Sequence, residues 1–221
     1  MKANNIWKCV LLGGMTFFSA YWYPRNDIVK VDVKKMDMAG KKTGNTFVID
    51  YDNALSLIES QEGWSGSSYS CPNGYVTIGF GRTQMGTDEV NRLLGRCYKD
   101  VCEDCVSDVE TERKFVKDYI RCVDLYFRKT YKGWKMVLPY VKSSVISYCY
   151  QKGWYNYPTK VCGSDAKLMV DALDSGDNDA IINLMEQYTL GDGYGNRRDA
   201  ELANAKLIYR DSYYYNSLAA K

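Results

Sequence analysis

Residues 58–83 read IESQEGWSGSSYSCPNGYVTIGFGRT, and their spacing decides the fold. A carboxylic acid, Glu62, closes a run with helical periodicity. Cys71 follows, then Thr77, and between them lies a Pro72-Asn73-Gly74 turn. The turn leads into an alternating run from Tyr75 to Phe80, so the segment predicts a helix end followed by a hairpin over about residues 67–81. One acid at a helix end, with a thiol and a hydroxyl on a hairpin beside it, suits hydrolysis of a glycosidic bond. That reaction needs an acid to protonate the leaving oxygen and a second group acting from the opposite face of the sugar.

Working outward, Asp52 is the expected N-cap of the helix that delivers Glu62, with Leu55, Leu57 and Ile58 spaced to bury one side. From about residue 88 the pattern is predominantly helical, with Asp88 and Ser107 as candidate caps. Gly133-Trp134 marks a loop and Leu138-Pro139 a break before a central helix.

The spaced set Glu62, eight residues, Cys71, five residues, Thr77 resembles the phage-type lysozymes, the endolysins of glycoside hydrolase family 24. There the middle position is Asp or Cys. Flanking residues are similar too: Glu62-Gly63, and Gly74-Tyr75-Val76-Thr77-Ile78-Gly79-Phe80-Gly81. Downstream, Gly193 to Glu201 resembles the family's Gly-x-x-x-Arg-Arg-x-x-Glu helix. Leu168 to Tyr188 resembles the helical pair before it, and Leu138 to Gly153 the central buried helix. Where the family has Phe-Asn-x-Gly, this chain has Tyr150-Gln151-Lys152-Gly153.

The resemblance implies an α+β, lysozyme-like fold: a small β-hairpin lobe joined by a long helix to a mainly helical lobe, with a cleft between. It implies cleavage of the β-1,4 bond between N-acetylmuramic acid and N-acetylglucosamine in peptidoglycan, by a single chain with no metal or organic cofactor. Glu62, Cys71 and Thr77 would be catalytic. Tyr69 and Tyr75 are supporting candidates on their own chemistry, since aromatic faces can pack on pyranose rings. Arg197 or Arg198 would orient Glu62, one of the two facing the cleft and the other solvent.

Two features of Glu62 and Cys71 follow from chemistry. A general acid must stay protonated near neutral pH, and Trp64, Tyr69 and Ile78 are available to desolvate Glu62. Cys71, a thiol with an ordinary pKa of about 8.5, is either a nucleophile with a lowered pKa or a polar group that places water together with Thr77. Pairing in a disulfide would silence it.

Composition sets the outer limits. The chain has 221 residues, 46% of them apolar, enough for one domain and an appendage. It has no histidine, which removes Ser-His-Asp triads, Cys-His nucleophiles and His-ligated zinc. Residues 1–46 carry eight basic and three acidic side chains, a local charge of +5, while the remainder carries 21 and 24, a charge of −3. A near-neutral body argues against nucleic-acid binding.

Three parts result: residues 1–24, a signal or anchor segment; 25–50, a linker; 51–221, the catalytic domain. The first part has Lys2 and Lys8 around a weakly apolar stretch from Cys9 to Tyr23. It resembles an export signal of the signal-arrest-release type, which tethers the protein to a membrane and later frees it; a cleaved signal peptide and a stable anchor are the rival readings. Export would take the protein to the periplasmic or extracellular side of a bacterial host.

With Cys9 and Cys71 set aside, Cys97, Cys102, Cys105, Cys122, Cys149 and Cys162 allow three disulfides; Cys97, Cys102 and Cys105 alternatively begin a zinc site. Competing functions are a lytic transglycosylase using Glu59 and Ser60, and a non-catalytic wall-binding or membrane-anchored protein.

Overall fold

The computed structural model describes residues 47–189 and 194–210. The expectations for residues 1–46, including the signal segment and Cys9, lie outside them. Chain order places one helix first, then the sheet, then the remaining helices. Helix α1 (Tyr51–Glu62) leads into strands β1 (Ser65–Ser70), β2 (Val76–Gly79) and β3 (Arg82–Thr83), an antiparallel sheet in that order. Then come α2 (Gln84–Leu94), α3 (Val109–Thr130), a 3-10 turn at Trp134–Met136, α4 (Pro139–Lys152), α5 (Tyr157–Cys162), α6 (Ala166–Ser175), α7 (Asn178–Thr189) and α8 (Gly195–Ala205). The fold is α+β. The sheet is a three-stranded meander, one short strand more than the expected hairpin.

The helix starts differ from the sequence reading. Asp50, not Asp52, caps α1, accepting from the Asn53 amide at 2.9 Å. Asp52 instead pairs with Lys117 across the surface. Thr83 caps α2 and Asp108 caps α3, in place of Asp88 and Ser107. The reason for the first shift is tertiary. Residues 47–50, expected as linker, already lie on the helical body: the Phe47 amide donates to Lys135 O at 2.7 Å, and Ile49 is buried. The chain therefore enters α1 two residues earlier.

At 22 residues, α3 is long enough to run about 33 Å, and it carries contacts of both lobes. Arg82 of β3 reaches Glu112 of α3 through Nε and Nη2, at 2.7–3.1 Å, and its Nη1 donates to Lys99 O at 2.9 Å. Gly79 makes room for this pair, since a Cβ there would stand 2.4 Å from Glu112 Cγ.

Helix α4 is the centre of the core. Residues 141–149 are all buried, because α1, α3 and α8 pack around it. Its polar members are small serines, apart from Lys142, which is fully buried and donates to Phe47 O at 2.5 Å above the Trp134 ring. Desolvation lowers the Lys142 ammonium pKa from its ordinary 10.5 to about 8, against the attraction of Asp124. Pro139 starts α4 at a position where its missing N–H costs nothing, as the Leu138-Pro139 break predicts.

The segment between α2 and α3 is held to the sheet. Ser67 and Val106 form a bridge, the Ser68 amide donates to Cys105 O, and the Ser107 amide donates to Gly66 O, both at 2.9 Å. A Cys102–Cys105 disulfide closes this loop. Cys97 is exposed and free, and Cys122, Cys149 and Cys162 are buried thiols, so one bridge forms among the six cysteines where three were allowed. Among the described residues no cluster of three metal-ligand side chains occurs, and no helix is long and apolar enough to cross a membrane.

Candidate active site

Glu62 is the last residue of α1, and its carboxyl projects between the helical body and the sheet. Its Oε1 is ion-paired with Arg197 Nη1 of α8. Arg197 is itself nearly buried and fixed on its other sides: Nη2 donates to Ser147 O at 2.9 Å and Nε to Glu201 Oε1 at 3.2 Å. Ser147 Oγ donates to the same Glu201 oxygen at 2.8 Å.

Arg198 does not face solvent, as the sequence reading expected of one arginine. It is fully buried, pairs with Glu201 Oε2, donates to Gln151 Oε1, and stacks 4.4 Å over the Tyr148 ring. The physical reason is the polar pocket awaiting it: Gln151 on α4 and Glu201 one turn along α8 satisfy the guanidinium inside the protein. Burial pushes the Glu201 carboxyl up, and Arg198 and Arg197 pull it back. Ser147, Gln151 and Glu201 escaped the sequence reading as site residues. Their signal was present in the i,i+4 spacing of Ser147 and Gln151 on one helix, and in the Arg197-x3-Glu201 spacing on another.

The expected apolar surroundings of Glu62 differ as well. Ile78 is buried, but Trp64 and Tyr69 are 45% and 40% exposed. On the sheet side the turn backbone comes close: a Cβ added at Gly81 would stand 3.0 Å from Glu62 Oε2.

Cys71 follows directly on β1. Its amide donates to Tyr75 O at 2.9 Å, and its own carbonyl accepts from Gly74 N at 2.8 Å, closing the Pro-Asn-Gly turn. Thr77, on β2 and buried, lies opposite Tyr69 in the ladder. Its hydroxyl has two acceptors in reach, Tyr75 O at 3.1 Å and the Cys71 sulfur. The Cys71 thiol is free and partly accessible. Desolvation would raise its pKa, but hydrogen bonds from the Asn73 and Tyr75 amides and the Thr77 hydroxyl outweigh it, and the net direction is down.

Tyr69 senses both sides. Burial raises its phenol pKa, and the charges of Glu62 and Cys71 raise it further, so its hydroxyl lies in the field of both groups. Tyr75 contributes through its carbonyl; the residue is 64% exposed and lines a hollow with Val76, Met85 and Val101. Glu59 and Ser60 are engaged elsewhere, Glu59 with Arg113 at 2.7 Å and Ser60 with Leu57 O at 2.8 Å.

The arrangement offers a carboxylic acid held by an arginine and, on the sheet, a polar sulfur–hydroxyl pair. No family model matches the sequence, and no curated protein matches it. Solved structures do match in shape. The active form of the P1 phage endolysin Lyz superposes with a TM-score of 0.55 at 16% identity, over 71% of this chain and 84% of that one. The endolysin of Escherichia coli O157:H7 phage FAHEc1 gives 0.51 at 14% identity, over 72% and 95%. With the mostly helical body, the small antiparallel sheet and these superpositions together, the chain has a lysozyme-like fold.

Proposed function

We propose that this protein is a muramidase of the phage endolysin type, related to glycoside hydrolase family 24, which hydrolyses the N-acetylmuramic acid to N-acetylglucosamine bond of peptidoglycan. The observation that carries the reading is Glu62 at a helix end, gripped by Arg197, with Tyr69 in the field of both Glu62 and Cys71, and Cys71 hydrogen-bonded to Thr77 on the sheet. Glu62 protonates the leaving oxygen. Cys71 and Thr77, which share a hydrogen bond, hold the attacking water on the other face of the sugar. A nucleophilic Cys71 is the second reading, favoured by its lowered pKa. The anomeric form of the first product, read by NMR, separates them: inversion for water, retention for a thiol intermediate.

The protein acts as a single chain, exported to the wall side of a bacterial membrane and tethered by residues 1–24 until release. The exposed Cys102–Cys105 disulfide suits an oxidising compartment.

The test is lysis of permeabilised Gram-negative cells, with analysis of the sugar ends released. Glu62→Gln should fold normally and lose at least about 10²-fold of the rate, since the amide cannot donate the proton. Near-normal lysis by the purified variant sinks the assignment. Anhydro-sugar ends instead of reducing ends would mark a transglycosylase.

A further inference from the structure

Tyr150 stands where the resembling family has phenylalanine, and its added hydroxyl is used. It donates to Phe80 O at 2.8 Å. Phe80 and Gly81 form the turn between β2 and β3, and Gly81 adopts φ +91, a conformation that disfavours any side chain. A Cβ at Gly81 would stand 3.0 Å from Glu62 Oε2 and 3.6 Å from the Tyr150 ring. The Glu62 carboxyl is thus held on one oxygen by Arg197, while its other oxygen lies against the backbone of this turn. The turn in turn hangs from α4 by the Tyr150 hydroxyl. The Tyr150 ring cannot swing away freely: it packs edge-on against Tyr119 at 4.8 Å, and the Tyr119 hydroxyl is anchored to Cys149 O at 3.0 Å.

We propose that Tyr150 is a positioning residue for the general acid: its hydroxyl latches the Phe80-Gly81 turn to the helical body and so sets where Glu62 Oε2 meets the scissile oxygen. The proposal deepens the muramidase reading and rests on it. Burial, and after it the charge of Glu62, holds the Tyr150 phenol well above its ordinary pKa, so it stays a neutral donor throughout the working range. Misplacing a proton donor affects the chemical step more than binding, because the donor acts on charge that develops in the transition state.

The experiment compares the full chain with Tyr150→Phe on soluble glycan strands, and follows amide hydrogen exchange of residues 78–84. The expected result is a kcat lower by roughly tenfold, about one lost hydrogen bond, with KM nearly unchanged and faster exchange in 78–84. A Gly81→Ala variant adds a coupling test: combined with Tyr150→Phe, the loss should be less than the product of the two separate losses, as both act through one turn. An unchanged kcat in a folded Tyr150→Phe protein, or a loss entirely in KM, overturns the proposal. If the wild-type protein leaves the strands intact, the muramidase reading falls by itself; faster exchange in 78–84 then still upholds the latch, and unchanged exchange removes it.

Discussion

The two walls of the site are built in opposite ways. On the α4–α8 side, Arg197, Arg198, Glu201, Ser147 and Gln151 form a buried network in which nearly every charge has a partner. On the sheet side, Cys71 sits on a tight turn, partly open to water, tuned by backbone amides and one hydroxyl. The difference teaches where precision is required. On the proposed roles, a proton donor must be held to a fraction of an ångström, which a buried ionic scaffold does, while a group that handles water needs access more than rigidity.

The comparison breaks first at its strongest point. Arg198→Met should destabilise the fold by about 3–5 kcal/mol in urea unfolding, because Glu201 and Gln151 lose a partner inside the protein. A loss below about 1 kcal/mol would mean that the network is not a rigid wall.

Lys142 tests the same body through pH. The folded ammonium titrates near 8 and the unfolded one near 10.5, so between these values the unfolded chain holds more protons. Stability should therefore rise as pH climbs from 8 towards 10, and the burial penalty should be constant below 8. Lys142→Met should stabilise the protein at pH 7 by roughly 2 kcal/mol, an advantage that shrinks at alkaline pH. Thermal melts of both proteins from pH 6 to 10 check the sign.

The sheet wall should be more forgiving. Cys71→Ala should cost roughly tenfold in lysis, near the worth of one hydrogen bond, while Cys71→Asp should stay active and ignore thiol-blocking reagents. A Cys71→Ala protein as active as the wild type would make Cys71 structural. The smallest effect is one of order. In native protein near pH 7.5, alkylation followed by mass spectrometry should label Cys71 well ahead of Cys122, whose thiol burial pushes up to about 12, and of buried Cys149, which is also raised.

These walls were unequally legible in the sequence. The hairpin side was readable because its chemistry is local: turn residues, alternation and the Cys71–Thr77 spacing all lie within ten positions. The helical side depends on meetings between distant segments. One of the two arginines reads as a surface residue until Gln151, 47 positions from Arg198, is found beside it. Arg82 and Glu112, a buried pair 30 positions apart, carried no signal at all. Caps failed for a related reason. Asp50 and Asp52 are equally good capping residues, and the docking of Phe47 and Ile49 on the helical body chose between them.

The loop before α3 has one more consequence, for solubility. A strand at the rim of a sheet leaves amides and carbonyls free to recruit another chain, which is how aggregation begins. Here β1 offers Gly66, Ser67 and Ser68 on that rim, and the disulfide-closed segment at Cys105, Val106 and Ser107 already occupies them. The opposite rim, β3, is two residues long, too short to template a neighbour. Among the described residues, the sheet beside the thiol is thereby covered at one rim and blunted at the other, and offers little free edge through which copies could zip together.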